Sequence, residues 1–236
     1  MEHAELRRQA FEANRALAAH GLVTLTWGNA SVADRAAGTL AIKPSGVAYD
    51  ALRPEDIVVL SVEDGRGVSG SRRPSSDAPT HLELYRGFPT VGAVVHAHSP
   101  YATAWAQLAR PLPCYGTTHA DHFAGAIPVA RALTDAEVAA EYERAAGISI
   151  VDTFRREGLD PLHVPAVFLP GHAPFVWGAT AQAAVENAVA LETVCRMALA
   201  AGAALAPLPE LPPAVLRKHF ERKHGVGAYY GQNRST

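Results

Sequence analysis

Apolar residues recur at helical spacing at Leu6, Ala10, Ala13 and Leu17, which predicts a helix over residues 4–20 that stops at Gly21. Short apolar runs follow at 22–26, 40–42 and 57–62, and each reads as a strand. Gly28-Asn29, Pro44-Ser45-Gly46 and Asp64-Gly65 are the turn signals between them. Residues 79–88 read as a short helix, 91–96 as a buried strand and 101–108 as a helix again. Thr134-Asp135-Ala136-Glu137 has the capping-box pattern and opens a helix running to about residue 157. A strand at 166–169 precedes a helix over 180–202 with Val185, Ala188, Leu191 and Cys195 on one face. Pro207, Pro209, Pro212 and Pro213 mark a linker to a basic final helix ending near Gly225. Strands and helices interleave irregularly, so the pattern predicts α/β layers rather than a strict βαβ repeat.

Composition narrows the class. The 236 residues, 48% hydrophobic, suit one domain over 1–236 with a substantial core. With 21 basic and 23 acidic residues the net charge is -2, which gives no reason to expect a nucleic-acid or membrane-surface partner. Two cysteines, Cys114 and Cys195, make neither a disulfide framework nor a thiolate metal site. The first residues are charged and no run of 18 apolar residues follows, so a cytoplasmic location is expected.

The chemistry concentrates in three histidines. His96 and His98 stand two apart at the end of an apolar run, where strand periodicity would put both imidazoles on one face. His172, in Gly171-His172-Ala173-Pro174-Phe175, would complete a three-ligand site for a divalent transition metal with a position open for substrate. Each histidine taken singly is as well explained by local hydrogen bonding. Asp77 is a further ligand candidate, in competition with a helix N-cap role just before Pro79. The small-residue loops Gly28-Asn29-Ala30-Ser31, Lys43-Pro44-Ser45-Gly46 and Ser75-Ser76 offer hydroxyls, an amide, backbone N–H groups and one cation, a set suited to phosphate. Each is also an ordinary turn.

Residues 65–70 match the dinucleotide fingerprint G-x-G-x-x-G, but Ser71-Arg72-Arg73-Pro74 follows where a fingerprint opens a helix. A glycine-rich hairpin or loop is expected there, and no nicotinamide cofactor. Residues 117–123, with His119, Asp121 and His122, read as a loop carrying one acid.

The chain resembles the L-ribulose-5-phosphate 4-epimerase family of the class II aldolase/epimerase superfamily. The likeness runs through Leu25-Thr26-Trp27-Gly28-Asn29, Ile42-Lys43-Pro44-Ser45-Gly46-Val47, Ser75-Ser76-Asp77-Ala78-Pro79, Val95-His96-Ala97-His98-Ser99, Gly116-Thr117-Thr118-His119-Ala120-Asp121, Gly171-His172 and Lys223-His224-Gly225 to Tyr229-Tyr230-Gly231. It implies a central, mainly antiparallel β-sheet flanked by helices, and a metal, usually zinc with manganese or cobalt accommodated, on His96, His98 and His172 with Asp77 on or near it. It further implies a phosphate and substrate pocket from Asn29, Lys43, Ser45, Gly46, Ser75, Ser76, Thr117 and His219, and an acid/base pair in Asp121 and Tyr230. Homotetramers with sites between subunits and a place in arabinose breakdown are implied as well. The expected reaction interconverts L-ribulose 5-phosphate and D-xylulose 5-phosphate by breaking and remaking C3–C4, since the C4 hydrogen is not acidic. Ala97, where threonine is usual, and Pro170 before Gly171-His172 depart from the family pattern without removing a ligand. The alternatives are a class II sugar-phosphate aldolase, such as one for L-fuculose 1-phosphate, and a non-catalytic adducin-like module.

Overall fold

A strand covered by helices on both faces reads as an unbroken apolar run, and such strands form the centre of this protein. The structure is a computed structural model describing residues 3–202 and, beyond them, 206, 213, 217, 220, 221 and 224–226. The strands are β1 (Asn29–Asp34), β2 (Thr39–Ile42), β3 (Val58–Ser61), β4 (Gly67–Ser69), β5 (Ala93–His96), β6 (Ala166–Phe168) and β7 (Pro174–Gly178). The helices are α1 (Ala4–Ala19), α2 (Ala78–Gly87), α3 (Pro100–Gln107), α4 (Thr117–Ala120), α5 (Asp135–Glu157) and α6 (Ala181–Ala200). One sheet runs in the order β4-β3-β2-β1-β5-β7-β6, and its ladders are antiparallel throughout. This is the helix-flanked antiparallel sheet that the resemblance implies.

Period-two alternation divides each central strand between two cores. Ala41, Val59, Val95 and Val176 pack with Leu6, Ala10 and Leu17 of α1, Trp105 of α3 and Leu191 of α6. Their neighbours Leu40, Ile42, Val58, Val94, Phe175 and Trp177 pack on the opposite face with Leu84, Tyr85 and Phe88 and with Ile150 and Phe154 of α5. The α1 register follows the apolar spacing, with Leu6, Ala10, Ala13 and Leu17 all buried. Its buried Asn14 ties the helix to the sheet: Nδ2 donates to the Ala30 carbonyl at 2.9 Å and Oδ1 accepts from the Ala30 N–H at 2.8 Å.

Three expectations need correction. Residues 22–26 are not a strand. Gly21 has φ 68° and Leu25 φ 54°, and the Trp27 N–H closes a turn onto the Thr24 carbonyl at 3.0 Å. The strand starts later, at Asn29, inside the expected turn. Residues 117–120 form the short helix α4 instead of a loop. The capping box at Thr134 is present, with both reciprocal bonds formed, but α5 is broken by a non-helical residue, Glu141 (φ -139°, ψ 72°). Residues 67–69 pair with β3 as a hairpin, so the glycine-rich stretch opens no helix. Most of the expected linker and final helix lies outside the described residues.

Candidate metal centre and sugar-phosphate cavity

Three backbone segments deliver the histidines. His96 is the last residue of β5 and pairs with Asn29 on one side and Phe175 on the other. His98 lies just beyond the strand, so strand periodicity does not place it; the exit of the chain toward α3 does. His172 sits in the turn between β6 and β7, where its N–H bonds the Leu169 carbonyl at 3.1 Å. One donor atom from each histidine lies within 4.8 Å of the others.

The donor chemistry fits a metal ion. His96 Nδ1 is 2.9 Å from the Pro174 carbonyl oxygen, a contact that requires an N–H, so its Nε2 carries the lone pair. That Nε2 faces His172 Nε2 at 3.2 Å. Two nitrogens each about 2.1 Å from a tetrahedral ion stand roughly 3.4 Å apart, so the observed spacing is that of two ligands on one ion. Burial depresses the basicity of all three imidazoles, His96 to about 4, which keeps them neutral and able to ligate. The His96 ring is stacked on Phe175 at 4.2 Å, which fixes its plane.

Asp77 belongs to the neighbourhood of this group rather than to the tight set of three. It occupies the N-cap position of α2 but makes no capping bond there. Its Oδ2 instead accepts from Asn29 Nδ2 at 2.6 Å. Burial opposes its ionisation, yet His96, His81 and the Asn29 amide outweigh that and hold its carboxyl below the usual range. Behind it, His81 Nδ1 shares a 2.7 Å hydrogen bond with Ser31 Oγ, which in turn bonds Tyr85 Oη at 2.8 Å.

The triad opens into a cavity of about 540 Å3. The expected phosphate residues Asn29, Lys43, Ser45, Gly46, Ser75 and Ser76 all line it, together with Asp77, His98 and His172. Two loops are joined to make this wall: Ser75 N donates to the Lys43 carbonyl and Ser45 N to the Arg73 carbonyl, both at 3.0 Å. Lys43 is buried with its ammonium 4.7 Å from the Tyr49 ring centroid and 3.4 Å from the Thr26 carbonyl. Among the described residues it has no ion-pair partner, and burial lowers its pKa to about 8. Asn29 Oδ1 is buried without a hydrogen-bond partner among the described residues. Gly28 closes the wall: φ is 78°, and a Cβ there would lie 2.7 Å from the His96 carbonyl oxygen.

Thr117 and Asp121 are not among the residues that line this cavity. They lie at α4, which packs against α6. Asp121 also offers its carbonyl to His224 Nε2 at 2.8 Å. His219 and Tyr230 lie outside the described residues. Sequence reasoning missed Tyr142 and Glu143, which enter the cavity just after the break at Glu141. The Tyr142 ring stands edge-on to His172 with centroids 6.2 Å apart. Burial first, then Glu143 and Asp77, push its phenol pKa up. A capping box followed by helical periodicity carries no signal for such a break.

Residues 8–199 match the model of the class II aldolase and adducin N-terminal domain. The chain is 49% identical over 228 residues, 97% of its length and 99% of the relative's, to L-ribulose-5-phosphate 4-epimerase UlaF of Salmonella paratyphi B (strain ATCC BAA-1250 / SPB7). The Salmonella paratyphi A (strain ATCC 9150 / SARB42) protein of that name matches at the same identity and coverage. Among solved structures, an L-fuculose 1-phosphate aldolase superposes with a TM-score of 0.76 at 27% identity, covering 92% of this chain and 95% of the other. The L-fuculose-1-phosphate aldolase of Thermus thermophilus gives 0.64 at 26%, covering 85% and 96%. The chain therefore belongs to the class II aldolase and adducin N-terminal domain family.

Proposed function

We propose that this protein is a metal-dependent L-ribulose-5-phosphate 4-epimerase. The observation that carries the reading is the sharing of one cavity by a three-histidine group and a cradle of phosphate-binding type. Its similarity to the UlaF epimerases, over nearly the whole of both chains, selects the substrate. His96, His98 and His172 would hold a divalent ion, zinc by its donor set, with Asp77 beside it. Such an ion supplies Lewis acidity toward the ketone end of the sugar.

The protein's own groups do the rest. Lys43, Asn29, Ser45, Gly46, Ser75 and Ser76 hold the phosphate, so the two-carbon fragment formed when C3–C4 breaks stays in place and turns its carbonyl. One acid/base group takes the proton of the C4 hydroxyl, and a second returns it from the opposite side once the bond re-forms. Asp121 and Tyr230 are the pair, with Thr117 and His219 beside the substrate. α4 packs on α6, and neither Thr117 nor Asp121 lines the cavity of the same chain, which supports the supply of these two by a neighbouring subunit of a homotetramer. A pentulose phosphate is a charged metabolite retained in the cytoplasm, which is where we place the whole 1–236 chain as one domain.

The test is to incubate metal-loaded protein with L-ribulose 5-phosphate and follow D-xylulose 5-phosphate and free glycolaldehyde phosphate together. Xylulose 5-phosphate without free aldehyde, abolished by a chelator, is the expected result. Accumulating aldehyde would make the protein an aldolase, and no turnover with metal bound would overturn the reading.

A further inference from the structure

The cavity is divided by charge. The phosphate wall is lined by Lys43, the amide-bearing Asn29 and the hydroxyl-bearing Ser45, Ser75 and Ser76. Beside His172 the lining is instead Tyr142 and Glu143. Glu143 acts electrostatically on both Tyr142 and His172, as does Asp77, whose carboxylate is bonded to Asn29 of the first wall. A phosphate is favoured at the first wall and repelled at the second, while sugar hydroxyls suit carboxylates and a phenol.

Tyr142 is held there by an arrangement independent of any ligand. Glu141 leaves the helical conformation (φ -139°, ψ 72°), and the helix restarts with Tyr142 against the cavity. Thr80 Oγ1 donates to the Glu143 carbonyl at 2.6 Å, and Arg144 bonds Glu141 at 3.0 Å and Glu83 at 3.2 Å. The helices meet closely enough that a Cβ on Gly147 would lie 2.7 Å from Glu83 Cβ and 2.9 Å from the Thr80 carbonyl. These contacts pin the break in α5 onto α2. Among the described residues the Tyr142 hydroxyl has no hydrogen-bond partner, although the side chain is half-buried and its ring meets His172. A phenol so placed has a donor to spend.

We propose that Tyr142 is a specificity-determining residue whose hydroxyl donates a hydrogen bond to the hydroxyl at the non-phosphorylated end of the sugar phosphate. For the pentulose of the proposed function, on which this inference rests, that group is the C1 hydroxymethyl. Lys43 and Tyr142 together fix which way round the substrate lies, so the C3–C4 bond meets the metal-bearing histidines in one register.

The experiment measures dissociation constants by titration calorimetry on metal-loaded wild type and Tyr142→Phe, with L-ribulose 5-phosphate, its 1-deoxy analogue and inorganic phosphate. One neutral hydrogen bond corresponds to about a tenfold change. Wild type is expected to bind the parent sugar about tenfold more tightly than the 1-deoxy analogue. Tyr142→Phe is expected to bind both sugars like the analogue, with phosphate binding unchanged. Equal weakening of both sugars in the variant, no weakening of either, or a wild type that does not discriminate them would overturn the proposal. Turnover in the same samples reports on the epimerase reading separately: binding with the expected pairing but no xylulose 5-phosphate would sink that reading and leave Tyr142 assigned.

Discussion

His96 and His172 face each other through their Nε2 atoms at 3.2 Å, while the other nitrogen of His96 is committed to the Pro174 carbonyl at 2.9 Å. The strand pairing of β5 with β7 creates both relationships. It sets Phe175 opposite His96, so that Pro174 and the turn bearing His172 arrive at the same end of the sheet. A tautomer suited to metal ligation is thereby written into a β-ladder.

Removing one ring should therefore remove the ion. His172→Ala is expected to reduce bound zinc from near one per chain to near zero after dialysis, read by elemental analysis. The affinity loss should exceed the roughly 10–100-fold typical of losing a ligand's hydrogen-bonding partner. Zinc at a hundredfold over its dissociation constant should raise wild-type stability by about 2.7 kcal/mol and leave the variant unmoved. A zinc-dependent melting shift retained in His172→Ala would contradict the site.

Legibility in the sequence follows burial and locality. β2, β3 and β5 are covered on both faces, so they stand out as apolar runs. β1 is largely buried but carries Asn29 and Ser31 inward, bonded to Ser75, Asp77, His81 and Tyr85, and so imitates a turn. Residues 22–26 do the reverse: an apolar run is folded back by a left-handed Leu25, leaving that side chain 72% exposed. The three clustered histidines and the loops that line the cavity were visible because each is a short local motif. Tyr142 and Glu143 were not, because a break inside a helix depends on what α5 packs against rather than on its own spacing.

The buried ammonium of Lys43 gives the anion site a pH limit. Burial lowers its pKa to about 8, so the free site loses its cation as pH rises through that value. A bound phosphate favours the charged form, and binding above this pH must take up a proton. Affinity for inorganic phosphate should fall between pH 8 and 10 by up to about tenfold per pH unit, with the phosphate dianion unchanged over that range. Lys43→Met should bind weakly at pH 7 and show a flat profile. A declining limb retained in the methionine variant would assign the titration elsewhere.

Gly28 and Gly38 separate two costs of a side chain. Both have positive φ, 78° and 64°, but only at Gly28 would a Cβ meet backbone, the His96 carbonyl oxygen at 2.7 Å; nothing lies within 4 Å of one at Gly38. Gly38→Ala should cost about 1–2 kcal/mol, the ordinary left-handed penalty. Gly28→Ala should cost visibly more and weaken zinc binding, because relief of the clash displaces the end of β5. Urea unfolding of both apo-proteins, with a zinc titration alongside, measures this. Equal costs and equal zinc affinities would show that the approach to His96 is not a constraint.

If Asp121 serves a neighbour's metal, two inactive variants should repair each other. His98→Asn lacks a ligand but keeps Asp121; Asp121→Asn keeps the histidines. Neither forms a complete site with itself under the inter-subunit scheme. In a cyclic tetramer mixed at random from both, about one site in four combines intact histidines from one chain with an intact Asp121 from the next. The two are to be coexpressed with different tags, purified through both tags and assayed against each homomeric variant. Recovery of about a quarter of wild-type activity per site is expected, and doubling one variant's share should lower it. Doubly tagged protein that is tetrameric yet as inactive as its parents would place Asp121 in its own chain's site, and would require α4 to approach the cavity from which it is set apart in the single chain.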